Sequence, residues 1–227
     1  MVYIKKSHSP QILIEKKKEV SQGKTFEKVI SELVENEKDI DFYDAIADKN
    51  PIRAALVAEQ NCLCAYCMGK IEAGRTKMKI EHFKSQKNYP QFQLDYDNML
   101  GCCLGNEGKP KKQQNCDTYK GNKELSLNPS VKNDFEKMKI IYFEDGKISS
   151  GNDKFRKEIE TVLNLNNAFL VGKRKEMIIS AQVQLNKDKN PRKKQTIQRL
   201  IQQYLNEKKP YYGAAVYYLE KKLKNAK

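Results

Sequence analysis

Four of the six cysteines in this 227-residue chain constrain its fold more than any other feature. Cys64 and Cys67 form a C-x-x-C, and Cys103 and Cys116 follow downstream. A C-x-x-C on a tight turn presents two thiolates side by side, and a second pair completes the tetrahedron that zinc prefers. Such a staple forces distant parts of the chain onto one point. The spacing of Cys103 and Cys116 is wider than that of an ordinary knuckle, so the pattern is weaker than two C-x-x-C pairs. Cys102 adjoins Cys103, and only one of the two can easily point at the ion. Cys103 is the expected ligand, because the following loop and the second half of the site leave from it. Cys62 and Cys102 are then unpaired thiols, expected to be buried or partly buried. The competing reading is six ordinary cysteines without metal, but a C-x-x-C among polar residues is poorly explained as core.

Metal rather than disulfides is expected from context. The first residues, Met1 to Lys6, contain no apolar signal-peptide core, and no run of 18 or more apolar residues exists. The expected setting is therefore cytosolic and reducing, without a membrane. No βαβ pattern surrounds Cys64 and Cys67, which argues against a thiol oxidoreductase. The apolar content of 39% and mean hydropathy of −0.79 describe a polar chain, of a length that makes one large domain or two small ones.

The net charge of +14 is unevenly spread: −1 over residues 1–61, +4 over 62–130, 0 over 131–150 and +11 over 151–227. A basic field of that size favours a polyanion, most simply nucleic acid. A lysine-rich solvated surface is the bland alternative.

Periodicity predicts an α+β chain that is mostly helical. Thr25 caps a helix with Phe26, Val29, Ile30, Leu33 and Val34 on one face. A short helix is predicted over Phe42, Tyr43, Ile46 and Ala47. Asn50-Pro51 opens another that carries Ile52, Ala55 and Leu56 and leads into the cysteines. Tyr3, Ile4, Ile12 and Leu13 suggest an extended N-terminal arm. Gly105–Gln114 reads as a loop. Ile140–Phe143 and Lys147–Ser149 flank an Asp145-Gly146 hairpin turn. From Asn152 onward four helices are predicted. Phe155, Ile159, Val162 and Leu163 line the first. Phe169, Leu170, Met177, Ile178, Ala181 and Leu185 line the second. Pro191 starts the third, and Tyr211–Leu223 forms the last. Three segments result: an arm with helices (1–61), a cysteine finger with structural zinc (62–130), and a hairpin followed by basic helices (131–227).

Inside the cysteine frame sits one of only two histidines. Ile80-Glu81-His82-Phe83 alternates like a strand, so Glu81 and His82 face opposite ways. A neutral imidazole takes a proton from water, and a carboxylate beside it holds magnesium on a scissile phosphate. His82 as a structural residue or as an alternative zinc ligand is the competing reading.

The order Cys64-x-x-Cys67, Glu81-His82, Asp97-Asn98-x-Leu100, Cys103, Cys116-Asp117-x-x-Lys120-Gly121-Asn122 resembles the HNH endonuclease family with its ββα-metal finger. The resemblance covers roughly residues 62–125. It implies a finger inserted between an N-terminal helical segment and a C-terminal basic helical bundle. It implies that His82 is the general base, that Asn98 orients the His82 ring through its amide, and that Asp117 and Glu81 bind a catalytic Mg²⁺ or Mn²⁺. Two positions depart from the family pattern. Glu81 stands where Asp is usual, and Asp117 makes an H-N-D variant. Asn98 as a turn residue and Asp117 as a helix cap remain open beside these roles. Lys120 is expected to reach a phosphate or a leaving oxygen, with plain surface charge as the alternative.

Pro51–Gln60, the Gly105–Gln114 loop and Leu127-Asn128-Pro129 are similar to the HNH subunit of Septu anti-phage systems and their retron-associated relatives. That likeness implies DNA as target and an ABC-type ATPase subunit as partner. In the tail, Arg192, Lys193 and Lys194 lie near a helix start, where the dipole disfavours cations and a phosphate would relieve them. Tyr204, Tyr211, Tyr212, Tyr217 and Tyr218 accompany them. A DNA platform, a docking layer and a plain basic bundle are the three readings. The rival for the whole chain is a non-catalytic zinc-finger module that binds nucleic acid or protein. It has no use for Glu81, His82 and Asp117.

Overall fold

The computed structural model describes residues 1–36, 41–188 and 193–226. Among these, the architecture is α+β, with nine α-helices and two separate two-stranded sheets. No described helix is long and apolar enough to cross a membrane.

Residues 1–10 form no regular element, and Ile4 N–H donates to the Pro129 carbonyl (3.0 Å). Helix α1 spans Gln11–Ser21, so Ile12 and Leu13 are helical rather than part of an extended arm. Only Leu13 of α1 is buried, which leaves too faint a stripe for the period to show. Helix α2 spans Phe26–Glu35, and the Thr25 hydroxyl accepts from Lys28 N–H (3.3 Å). The Val34 side chain lies outside the described set. The predicted helix over Phe42–Ala47 is a turn instead. The Tyr43 amide donates to the Gln93 side chain (2.9 Å) and not along a helix, while Tyr43 and Ile46 are buried.

Helix α3, Asn50–Glu59, carries Pro51 in its first turn and buries Ile52 and Leu56. It delivers the chain to Cys64. Strands β1 (Lys79–His82) and β2 (Met99–Cys102) pair antiparallel, with Glu81 opposite Leu100 and His82 opposite Met99. The Gln60 side chain ties this pair to the end of α3, accepting from Gly101 N–H (2.7 Å) and donating to the Leu63 and Gly101 carbonyls (2.8 Å each). Helix α4, Cys116–Lys120, follows the loop. Gly105 closes that loop at φ +56°, where a Cβ would lie 2.1 Å from the Asn115 carbonyl oxygen. No other residue fits there.

Helix α5 (Lys132–Met138) was not legible in the sequence, since it is short and only Met138 is fully buried. The hairpin β3 (Ile140–Tyr142) and β4 (Ile148–Ser150) forms as expected around Gly146. Asn152 and Asn167 cap α6 (Asp153–Thr161) and α7 (Ala168–Asn186) through their side-chain oxygens. Helices α8 (Lys194–Glu207) and α9 (Tyr212–Lys224) complete the tail. Pro191, the expected start of α8, lies outside the described residues.

The buried stripe of α7 is Leu170, Arg174, Ile178, Ala181 and Leu185. Phe169, placed in that stripe by the sequence, is 55% exposed. The position it was thought to share includes Arg174, whose guanidinium donates to the Gly146 and Leu165 carbonyls (2.6 and 2.7 Å). The tail also grips the finger. Cys116 N–H donates to Leu163 O, Asn164 donates to Lys112 O and Gln114 O, and Tyr211 N–H donates to Met68 O. One connected set of buried side chains therefore runs from Met1 through the finger to Leu219.

Candidate active site and metal centre

The sulfurs of Cys64, Cys67, Cys103 and Cys116 all lie within 4.8 Å of one another. Two edges of this group are 3.8 Å (Cys64–Cys116) and 3.7 Å (Cys67–Cys103). A tetrahedron with zinc–sulfur bonds of about 2.3 Å has edges of about 3.8 Å, so the group fits the ion. The turn that presents the first pair is built from Met68 N–H on Cys64 O and Cys64 N–H on Gly69 O, with Gly69 N–H donating to the Cys67 sulfur. Burial pushes the Cys116 thiol well up, and its sulfur neighbours push it further. Cys64 is held well below the usual thiol range. Burial opposes this, but the surrounding thiols outweigh it. Four thiols in a dry pocket lack a compensating positive charge, and a divalent cation supplies one. The group can therefore hold a metal such as zinc. Cys102 is buried in β2 outside it, and Cys62 is exposed, contrary to its expected burial.

His82 ends β1, 5% exposed, with its ring edge-on to Tyr43 at 4.6 Å. Its Nε2 lies 3.0 Å from the Gln93 carbonyl oxygen. A carbonyl only accepts, so Nε2 carries the proton and Nδ1 keeps the free lone pair. Burial lowers the His82 pKa to about 4, while the Gln93 carbonyl and the Asp117 charge pull it upward. The ring is neutral at pH 7.

Asn98 does not touch that ring. Its oxygen accepts from Lys84 N–H (2.8 Å), and its amide donates to Lys84 O (3.0 Å) and Phe92 O (3.2 Å). It ties Lys84 to Phe92, the residue before Gln93, whose carbonyl meets the His82 ring.

Glu81 is buried, and its Oε1 receives the Tyr66 hydroxyl (2.9 Å) and the Lys120 ammonium (2.8 Å). Burial first, then the neighbouring Asp117 carboxylate, pushes Glu81 well above the ordinary carboxyl range, and Lys120 pulls it back. Lys120 is 2% exposed, so the expectation of a phosphate-seeking surface cation is corrected. Its last-turn place on the short helix α4 points it inward over β1. Asp117 is half-buried and opens onto a cleft. Asp117 and Glu81 place carboxyl oxygens, hard donors of the kind Mg²⁺ or Mn²⁺ takes, beside the Lys120 ammonium.

Lys193 and Lys194 are exposed at the start of α8, and Arg192 lies outside the described residues. Tyr204, Tyr212 and Tyr218 are core residues, which removes them from any platform. They face inward because α8 and α9 pack on each other and on α7. Sequence reasoning missed Gln60 and Gln93 as supports, and has Tyr66 packing the knuckle without its bond to Glu81. Tyr66 carries a signal, since a hydroxyl inside a buried knuckle needs a partner. It also missed Lys6 and Glu59, paired at 2.6 Å, which sew the N-terminal arm to β2 through Met99 O.

No family model matches this chain. It is 25% identical over 166 residues to Septu protein PtuB of Bacillus thuringiensis, an alignment that covers 73% of this chain and 55% of that protein. The chain thus spans about half the length of the curated relative it matches.

Proposed function

We propose that this chain is a metal-dependent HNH endonuclease that hydrolyses DNA phosphodiester bonds. It serves as the nuclease of an anti-phage defence complex with an ABC-type ATPase partner. The observation that carries the chemistry is the convergence of β1, β2 and α4. These elements bring a neutral, oriented His82 and the Glu81–Asp117 carboxylates beside a four-cysteine metal group. The similarity to Septu protein PtuB supports the defence setting, and the Septu-like Pro51–Gln60, Gly105–Gln114 and Leu127-Asn128-Pro129 segments support the ATPase.

In this reading the order β1–β2–α4 is a ββα-metal finger, and zinc on Cys64, Cys67, Cys103 and Cys116 is structural. His82 Nδ1 accepts the proton of the attacking water, since its Nε2 proton is committed to Gln93. Asn98 keeps that commitment in place by clamping Lys84 and Phe92. Asp117, with Glu81 behind it, would hold Mg²⁺ or Mn²⁺, which polarises the scissile phosphate when bound. Tyr66 and Lys120 restrain Glu81 by hydrogen bond and charge.

The test is plasmid nicking and linearisation by wild type and His82→Ala, with Mg²⁺ or Mn²⁺ and with EDTA, and zinc measured on the same samples. Metal-dependent cleavage lost in a folded, zinc-loaded mutant supports the reading. Equal cleavage by both proteins sinks it. Lys120 on Glu81 favours the rival, a non-catalytic zinc-finger module. No cleavage by the wild type, alone or with the ATPase, would establish that rival.

A further inference from the structure

Asp117 opens onto a cleft of about 520 Å³ that the tail and the cysteine group do not line. The start of α3 contributes Lys49, Asn50 and Arg53, and the approach to β1 contributes Arg75 and Lys79. Most of these groups are already engaged. Lys79 pairs with Glu107 at 2.7 Å. Lys49 donates to the Asp44 and Ile46 carbonyls. Two guanidiniums are left. The arginine ion pairs among the described residues are those of Arg156 and Arg199, not of Arg53 or Arg75. Arg53 makes one long bond to Asn50 (3.4 Å), and its buried Nε has no partner among the described residues. A buried N–H without an acceptor is costly and asks for one. Arg75 is exposed and lines the same cleft. Asp44 and Asp48 share the lining and repel an anion from their side.

We propose that Arg53 and Arg75 form a phosphate-binding subsite that seats a nucleic-acid backbone phosphate beside Asp117. The planar fork of a guanidinium matches two phosphate oxygens. The first turn of α3 adds the positive end of its dipole. The strand so held runs past the one half-exposed carboxylate of the site. This subsite is separate in sequence from the Lys193–Lys194 pair, and its reactive consequence rests on the nuclease reading.

The test uses fluorescence anisotropy with a labelled 20-nucleotide strand and its duplex, in the His82→Ala background so that nothing is cut. Salt dependence is recorded with and without Arg53→Gln/Arg75→Gln. Each lost phosphate contact weakens duplex binding on the order of 10-fold at about 0.1 M salt and lowers the slope of log K against log salt by about 0.9. Both arginines hold the same phosphate, so the double variant should lose about 0.9 of slope. Arg75→Gln alone, at an exposed position that folding does not use, should lose about half of that. An unchanged slope and affinity in the double variant overturn the subsite, as does absence of binding by the His82→Ala parent. The two proposals fail separately. Metal-dependent cleavage with unchanged KM in the double arginine variant removes the subsite and leaves the nuclease. Arginine-dependent binding with no cleavage by the wild type, alone or with the ATPase, does the reverse.

Discussion

Lys120→Met is the most informative single substitution in this molecule. The ammonium is 2% exposed, the Glu81 residue 3% exposed, and they meet at 2.8 Å. Met keeps the length of the side chain and deletes the charge. Removing one partner of a buried pair typically costs about 3–5 kcal/mol, because the other charge is left without compensation. For a chain of this size that is a fall of about 10 °C in Tm. The loss depends on pH. Glu81 is already pushed above its unfolded value by burial and by Asp117. A carboxyl with a raised folded pKa favours the folded state below the unfolded pKa, and that contribution is lost as pH rises through the folded pKa. Without Lys120 the folded pKa moves higher still, so the variant should lose more stability than wild type as pH rises above the unfolded value of 4.5. Adding Glu81→Gln removes the orphan charge, keeps an acceptor for Tyr66, and should recover all but about 1–2 kcal/mol. Urea denaturation of the four proteins with zinc saturated measures the cycle. A Lys120→Met protein as stable as wild type at every pH would refute the buried pair as the clamp on Glu81.

Four further outcomes are expected. Asn98→Ala loses three hydrogen bonds to Lys84 and Phe92. It should cost about 2–3 kcal/mol and shift the His82 imidazole titration followed by NMR, while a direct ring contact would shift the titration alone. The folded His82 pKa of about 4 lies below its unfolded value of 6.5, so the unfolded chain binds that proton first. Wild type should therefore lose about 3 kcal/mol more than His82→Gln as pH falls from 6.5 to 4, read from paired denaturation curves. In thiol titration of the zinc-loaded protein, exposed Cys62 should react at once, and Cys64, Cys67, Cys103 and Cys116 only after a chelator. Cys116→Ser should abolish the cooperative melt, because metal binding and folding are coupled.

What the sequence determined by itself was what local chemistry writes down. The C-x-x-C turn, the Thr25 cap, the Asp145-Gly146 hairpin and the tail helices each depend on neighbours a few residues apart. The loop that leaves from Cys103 pointed to it rather than Cys102 as the ligand, and its sulfur joins the other three. Tertiary structure decided the rest. Lys120 reads as a surface cation until α4 is laid over β1, where the nearest acceptor is a buried carboxylate. Asn98 reads as a ring partner until the chain between Lys84 and Phe92 loops back and offers backbone groups first. The tyrosines of the tail read as a platform until α8 and α9 pack and turn three of them inward. Arg53 and Arg75 carry no motif at all. Their meaning comes from lining one cleft together with Asp117, a relation between segments joined only by the folded chain. Short-range patterns specify which elements form, because capping and turn energies are local. Which charges are buried, paired or left open depends on contacts far apart in sequence, and only the packed chain makes those.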